Sequence, residues 1–238
     1  MDFKMVSNWR QFNQLLDFFT PCYCLLCESL VPDGYQLCMA CNADCPVPGA
    51  PCPNCGMPLR GYGDLCSCTY SPSTIDRLIT VQTYQYPVNT IIHAMKYQQQ
   101  VSLCREVGLR LAEKVQRSGT MLPDCLVPVP MHRKRLRERG YNQALEIARV
   151  IANSLDLYLE ADLVLRKRPT ATQIGLNPTE RFRNVKGAFS LSREMSYDSI
   201  AIIDDVFTTG ATALELANIL KIATARRVEL WSYSIATT

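Results

Sequence analysis

The fold is decided by residues 199–212, which read Ser-Ile-Ala-Ile-Ile-Asp-Asp-Val-Phe-Thr-Thr-Gly-Ala-Thr. Residues 199–203 form an apolar run without polar alternation after the serine, which is typical of a strand buried on both faces. Asp204 and Asp205 follow this run, and residues 208–212 make a small, hydroxyl-rich turn. Apolar residues then recur at helical spacing. The pattern predicts an α/β fold with a parallel sheet flanked by helices.

Two carboxylates and a polar loop therefore lie between the carboxyl end of a buried strand and the amino end of a helix. Ligands of open α/β sheets bind at this edge, and free N–H groups with the helix dipole favour phosphate there. Asp204 and Asp205 can accept hydrogen bonds from sugar hydroxyls or hold Mg²⁺ through water. We expect a sugar-phosphate site. The alternative is an ordinary strand–loop–helix connection with a polar loop.

The composition is ordinary for a globular protein, with 47% apolar and 20% charged residues among 238. The sequence contains no apolar run of the about 18 residues needed to span a membrane. An amphipathic helix over residues 9–19 does not have the pattern of a secretory signal, so we expect a cytoplasmic protein. The net charge is +3, and its basic excess lies after residue 80, on the side of the predicted site. That excess permits binding to phosphates or nucleic acid.

Ten of the twelve cysteines fall between Cys22 and Cys68, and they form an internal repeat. Each half has a CxxC pair and, after ten intervening residues, two more cysteines, and the last cysteine of the second half is displaced by one. Tetrahedral zinc prefers four thiolates, and a CxxC turn supplies two of them. The predicted structural zinc ligands are Cys24, Cys27, Cys38 and Cys41 in a first site, and Cys52, Cys55, Cys66 and Cys68 in a second.

A disulfide framework is the alternative, but it needs an oxidising compartment. Cys22 or Cys45 could replace a ligand in either zinc site. Cys104 and Cys125 lie in apolar surroundings and are expected in the core. We predict a zinc-ribbon-like module over residues 1–72, with a linker at residues 70–73, and a sheet domain over 73–238.

The middle of the chain is expected to contain strands at 78–81 and 125–129 and helices at 88–97, 103–117 and 143–155. Pro128 and Pro130 place the second strand at a sheet edge or at its own end. Five of the seven residues 133–139 are basic and follow this strand. Arginine side chains can bind a pyrophosphate through paired hydrogen bonds, which would make this segment an anion site. The alternative is that it is a run of charged residues exposed to solvent. The candidate anion ligands are Arg133, Arg135, Arg137 and Arg139.

Residues 165–189 form a long, basic and weakly patterned segment. Such a segment is either a lid over a site or plain surface.

The stretch 202–212 closely resembles the 5-phosphoribosyl-1-pyrophosphate (PRPP) motif of type I phosphoribosyltransferases. The whole chain resembles the ComF/GntX family of competence-associated, phosphoribosyltransferase-like proteins. The matching segments are the cysteine pairs, Ile-His-Ala-Met-Lys-Tyr at 92–97, Val-Pro-Val-Pro at 127–130, Arg-Gly-Tyr-Asn-Gln at 139–143 and Arg-Phe-Arg-Asn-Val-Lys-Gly-Ala-Phe at 181–189. Phe207, where the family mostly has a smaller aliphatic residue, and the Cys66-x-Cys68 spacing are departures.

The resemblance implies a type I phosphoribosyltransferase fold with an N-terminal zinc module. It also implies a role in natural transformation, where incoming single-stranded DNA is handled in the cytoplasm with other competence or recombination proteins. Asp204 and Asp205 would orient the ribose and act as catalytic residues, with Mg²⁺ accompanying PRPP. The remaining PRPP ligands implied are Thr208, Thr209, Gly210, Ala211 and Thr212 for the 5′-phosphate, and Lys96, with the arginines, for the pyrophosphate.

Three functional hypotheses stay open at this point. The chain could be a competence protein with a PRPP site, a phosphoribosyltransferase with a small-molecule acceptor, or a non-catalytic, zinc-containing DNA-binding scaffold. Single-strand binding pairs a basic groove with stacking aromatics. The candidates for stacking are Tyr84, Tyr86, Tyr97, Tyr141 and Phe182.

Overall fold

The computed structural model describes residues 22–31, 35–52, 55–59, 74–168 and 178–236. The chain divides into two compact units between Cys45 and Pro46. The predicted linker at residues 70–73, the predicted helix at 9–19, and Cys66 and Cys68 lie outside the described residues.

The first unit contains a short antiparallel hairpin and one helix. Its strands are β1 (Cys22–Tyr23) and β2 (Leu30–Val31), and its helix is α1 (Met39–Ala43). These elements are too short to bury a core, so the cysteines on their loops have the larger structural role.

The second unit is built on a parallel sheet with helices. Its strands are β3 (Arg77–Thr83), β4 (Cys125–Pro128), β5 (Tyr158–Leu159), β6 (Val164–Arg166), β7 (Phe189–Leu191), β8 (Ser199–Phe207) and β9 (Arg227–Ile235). Its helices are α2 (Val88–Tyr97), α3 (Ser102–Arg117), α4 (Arg133–Arg139), α5 (Gln143–Leu155), α6 (Pro178–Val185) and α7 (Ala211–Ile222).

The main sheet has the strand order β3-β9-β8-β4-β5, and every neighbouring pair in it is parallel. The α/β prediction of a parallel sheet flanked by helices is therefore confirmed. β8 and β9 lie at its centre, where Ile202, Leu230 and Trp231 are fully buried. The continuous apolar run of β8 allows that strand to be covered on both faces, whereas β9 also buries the polar residues Glu229, Ser232 and Ser234.

Pro128 is the last residue of β4, and β4 lies between β8 and β5. The strand is therefore interior to the sheet, and the proline lies at the strand's own end, where the missing N–H costs no ladder bond.

In the basic segment 165–189, the structure describes residues 165–168 and 178–189, and packing holds them in place. β6 and β7 pair as an antiparallel two-stranded sheet, and Val185, Ala188 and Phe189 join the core of the second unit. The Gly187 N–H donates to Glu215 on α7 over 2.7 Å. Residues 169–177, which include much of the predicted lid, lie outside the described residues.

Candidate functional site

Asp204 and Asp205 lie on β8 near its carboxyl end. The apolar run predicts a strand that stops at Ile203, but β8 continues through both aspartates to Phe207. The cause is its neighbour β9, which stays in parallel register beyond the apolar run and places Ser232 opposite Asp204. The aspartates are thereby fixed by the sheet ladder instead of standing on a loop.

Lys96, in the last turn of α2, pairs with Asp205 over 3.0 Å between Nζ and Oδ1. Burial opposes the charge of Lys96, but Asp205 and Asp204 outweigh burial and raise the lysine's pKa. Burial and the charge of Asp205 raise the pKa of Asp204 to about 7. Lys96 thus pairs directly with Asp205, and Arg166 acts on Asp204 only through its charge, which leaves Asp204 ready to accept a hydrogen bond or a cation from a ligand.

Gly210 makes the turn from β8 into α7. Its φ is 75°, in the left-handed region that favours glycine, and an added Cβ would lie 2.9 Å from Cε2 of Phe207. α7 then begins at Ala211, so Ala211 and Thr212 belong to its first turn and not to the preceding loop. The Thr209 hydroxyl is buried and has no hydrogen-bond partner among the described residues. The turn can therefore offer a hydroxyl and a helix N-terminus to an anion.

The aspartates, Lys96, Thr208 and Thr212 border one cavity of about 800 Å³. The other lining residues are Tyr84, Tyr97, Gln99, Val129, Pro130, Met131, Arg135, Glu138, Arg139, Asn142, Gln143, Ala144, Arg166 and Val206. This cavity combines carboxylates, guanidinium groups, amides and hydroxyls, which suits a polar, multiply charged ligand.

α4 separates the four candidate arginines into two pairs. His132 starts this helix by accepting a hydrogen bond from the Lys134 N–H over 3.2 Å. Arg135 and Arg139 are partly buried and line the cavity, as expected of residues one turn apart. Arg133 and Arg137 are exposed and are not among the residues that line the cavity.

Sequence reasoning did not assign Asn142, Gln143 or Arg166 to the site. Arg166 comes from β6, and its guanidinium lies 5.3 Å from the centre of the Phe189 ring. Burial and the nearby charge of Arg135 lower its pKa to about 10. A signal existed for the two amides, since they start a helix at the sheet edge where the aspartates emerge. Arg166 lies in the basic segment 165–189, for which the sequence leaves open a lid or plain surface, and its place at the cavity depends on the pairing of β6 with β7.

The candidate stacking aromatics occupy different environments. Tyr84 and Tyr97 line the cavity, and Tyr97 lies 4.9 Å from the His93 ring and 5.4 Å from the guanidinium carbon of Arg139. The Tyr141 hydroxyl donates to the Met95 carbonyl. The two others, Tyr86 and Phe182, are exposed.

Cys24, Cys27, Cys38 and Cys41 form a cluster in the first unit, with all Sγ atoms within 4.8 Å of one another. Four sulfurs at the 2.3 Å zinc–sulfur distance stand about 3.8 Å apart in a tetrahedron. The Sγ atoms of Cys27 and Cys38 are 3.6 Å apart. The first predicted cysteine quartet is thus brought together, and it could hold a structural zinc ion.

The first cysteine pair of the second quartet repeats the backbone of the first. In the first knuckle, the Cys24 N–H donates to Ser29 O over 2.8 Å and the Glu28 N–H donates to Cys24 O over 2.9 Å. In the second, the Cys52 N–H donates to Met57 O over 2.8 Å and the Gly56 N–H donates to Cys52 O over 2.9 Å. Cys52 and Cys55 are buried, while Cys66 and Cys68, the other two predicted ligands, lie outside the described residues.

The other cysteines do not extend the described cluster. Cys45 is buried, and its Sγ lies 3.4 Å from the Cys41 carbonyl oxygen. Cys104 and Cys125 are fully buried, and burial raises the pKa of each to about 12, which keeps them as unreactive thiols.

Among the described residues, no helix is both long and apolar enough to span a membrane. No protein-family model matches the chain. The chain is similar to the DNA utilization protein YhgH of Escherichia coli (strain K12), with 32% identity over 217 residues, 89% of this chain and 96% of that protein. It is also 31% identical over 193 residues to Competence protein F of Haemophilus influenzae, covering 78% and 84% of the two chains.

The chain belongs to the YhgH/ComF family of competence proteins.

This assignment confirms the resemblance inferred from the motifs. A further member, Competence protein ComFC of Bacillus subtilis, is 26% identical over 212 residues, 79% of this chain and 84% of that protein. Among solved structures, TT1426 from Thermus thermophilus matches with 17% identity and a TM-score of 0.32, covering 56% of this chain and 83% of the other.

Proposed function

We propose that this YhgH/ComF protein binds PRPP in the cavity at the end of β8 and acts with incoming single-stranded DNA in the cytoplasm. One observation carries the PRPP part: two adjacent aspartates, one of them paired with Lys96, stand directly before a glycine turn and a helix N-terminus. This order of groups matches a ribose followed by its 5′-phosphate.

In this proposal, Asp204 and Asp205 accept hydrogen bonds from the ribose hydroxyls. The Thr208 and Thr209 hydroxyls and the first turn of α7 receive the 5′-phosphate, which the helix dipole stabilises. The left-handed Gly210 allows the chain to pass close to that phosphate because it has no Cβ.

The pyrophosphate lies toward the cations that line the cavity, Lys96, Arg135, Arg139 and Arg166. Mg²⁺ fits this donor set because Asp204 and Asp205 offer the carboxylate oxygens that it prefers, directly or through water. When bound, Mg²⁺ would neutralise part of the pyrophosphate charge.

The site supports phosphoribosyl transfer to an acceptor nucleophile. The bond from C1′ to pyrophosphate breaks with its electron pair leaving on the pyrophosphate, and the acceptor's lone pair forms the new bond to C1′. Positive charge develops on the ribose, and the two aspartates stabilise it while the guanidinium groups stabilise the leaving group.

Isothermal titration with PRPP and Mg²⁺ tests the proposal. Wild-type protein is expected to bind in the micromolar range, and Asp204→Ala/Asp205→Ala is expected to lose binding. Asp162→Ala, which removes an exposed carboxylate outside the cavity, is the matched control. If folded wild-type protein does not bind PRPP, the proposed site is wrong.

An assay of pyrophosphate release from PRPP separates the catalytic alternative from the non-catalytic one. Release of pyrophosphate with a small-molecule acceptor would identify a phosphoribosyltransferase. PRPP binding without release of pyrophosphate for any acceptor would favour the non-catalytic, zinc-containing DNA-binding scaffold.

The DNA part of the proposal is supported by the outer face of α4. Arg133, Lys134 and Arg137 are exposed there, and none of them makes an ion pair with another described residue. Guanidinium and ammonium groups bind phosphodiesters, and the relatives are named for competence and DNA utilization. We assign DNA contact to this face and PRPP contact to the inner face.

Two matched arginine pairs test this division. Arg133→Gln/Arg137→Gln is expected to weaken binding of a single-stranded oligothymidylate about tenfold or more and to reduce its salt slope, with PRPP affinity unchanged. Arg135→Gln/Arg139→Gln, with the same spacing and charge change, is expected to weaken PRPP binding instead. Unchanged DNA affinity and salt slope in the outer pair would show that this face does not bind DNA.

A further inference from the structure

Gln143, the first residue of α5, carries a buried donor without an acceptor. Its side chain is only 2% exposed, and its Nε2 has no hydrogen-bond partner among the described residues. Leaving such a donor unsatisfied reduces folding stability. Gln143 also lines the cavity. A ligand in the cavity is therefore the natural source of the missing acceptor.

The N-terminus of α5 adds further donors at the same place. The Asn142 side chain precedes the helix but makes no capping hydrogen bond, and its Nδ2 donates to the Val129 carbonyl over 3.0 Å. The first helical bond joins Glu146 N–H to Asn142 O over 3.1 Å. Within the described chain, the N–H groups of residues 143–145 therefore have no acceptor. α5 is 13 residues long, so its dipole reinforces these donors.

Two guanidinium groups complete this wall of the cavity. Arg135 and Arg139 line it from the inner face of α4, just before α5 in the chain. Amide, backbone and guanidinium groups here all offer hydrogens. Donors of this kind with positive charge select an oxyanion that bears several acceptor oxygens.

We propose that Gln143 recognises the diphosphate of PRPP, with Nε2 and the first-turn N–H groups of α5 donating to its non-bridging oxygens. This inference rests on the proposed function and narrows it. The ribose 5-phosphate end belongs to β8 and α7, and the diphosphate end belongs to α5. Gln143 is then a specificity residue that separates PRPP from ribose 5-phosphate.

Titrations of wild-type protein and Gln143→Leu with three ligands test the assignment. Leucine keeps similar bulk in a buried place and removes the donor. Affinity for PRPP and for inorganic pyrophosphate, each with Mg²⁺, is expected to fall roughly 10- to 100-fold, as for loss of a hydrogen bond to a charged group. Affinity for ribose 5-phosphate is expected to stay unchanged. An equal loss for all three ligands, or no loss for pyrophosphate, overturns the assignment.

A second measurement needs no variant and covers the case in which Gln143→Leu does not fold. The side-chain amide resonances of Gln143 in wild-type protein are expected to shift on addition of pyrophosphate and not of ribose 5-phosphate. An unshifted resonance at saturating pyrophosphate refutes the role of Gln143.

The outcomes also separate this inference from the proposed function. If Gln143 governs pyrophosphate affinity but the protein does not bind PRPP, the proposed function fails, and only a pyrophosphate site at the start of α5 remains. If PRPP binds equally well to wild-type protein and Gln143→Leu, the proposed function stands and the inference fails.

Discussion

Replacement of Asp204 by asparagine is expected to stabilise the protein at neutral pH. Burial and Asp205 raise the pKa of Asp204 from its ordinary 3.8 to about 7. The folded protein therefore binds this proton more tightly than the unfolded chain does. That contribution to stability is complete below the unfolded pKa and is lost as the pH rises through the folded one. Asparagine at 204 has no such proton, and its Oδ1 can still accept the Asp205 N–H bond of 2.9 Å.

The magnitude follows from the shift. One pKa unit corresponds to about 1.36 kcal/mol, and for a shift of about three units most of the loss falls between pH 5 and pH 8. Over that range the wild-type free energy of unfolding should fall relative to Asp204→Asn by about 2–3 kcal/mol. The asparagine variant should therefore gain its advantage progressively from pH 5 to pH 8.

Urea denaturation followed by circular dichroism at pH 5, 6, 7 and 8 measures this difference. Asp162→Asn, at an exposed position, is the control and should follow the wild-type curve at every pH. A constant gap between wild-type protein and Asp204→Asn across this range would refute the reasoning, since the electrostatic strain at the aspartate pair would then be absent.

Three further predictions concern the other parts of the molecule. Cys24→Ser is expected to lower the zinc content of the purified protein by about one ion, measured by atomic emission, while Cys104→Ser, outside the cluster, retains it. Lys96→Met removes the cation beside Asp205 and should weaken PRPP binding about tenfold or more in the titration. Gly210→Ala should lower the free energy of unfolding by about 1–2 kcal/mol, because the left-handed φ and the contact with Phe207 both oppose a Cβ. A urea-unfolding curve identical to that of the wild type would contradict this reasoning.

Much of the sheet and of the cysteine cluster is readable from the sequence because one dominant pattern controls each. The short apolar run before Asp204 is typical of a buried strand, and four cysteines at zinc-knuckle spacing indicate one metal centre. β8 nevertheless extends beyond that run, because its pairing with β9 continues through Asp204 to Phe207. The polar side chains of the two aspartates do not indicate a strand. The end of a strand depends on the strand that it pairs with, and the sequence of one segment contains no information about that partner.

The inner and outer faces of α4 could not be predicted. Its seven residues are almost all charged, and Leu136, the one apolar residue, is itself 39% exposed. Without an apolar stripe, hydrophobic periodicity does not specify which arginines turn inward. The place of Gln143 at the start of a predicted helix is readable from the sequence, but the burial of its side chain is not, because glutamine is usually a surface residue and the packing around α5 buries it.

The two cysteine knuckles share their hydrogen bonds but have different residues at the position that follows the second cysteine. The backbone turns left-handed at Gly56, with φ of 74°, and equally at Glu28, with φ of 58°. Glycine adopts this conformation freely, whereas a glutamate gives up about 1 kcal/mol to do so. Zinc binding by zinc-finger peptides is worth about 10–16 kcal/mol, far more than that strain. A zinc ion held by the first cysteine cluster would therefore offset the strain at Glu28, and that knuckle would keep the shape of the turn without a glycine.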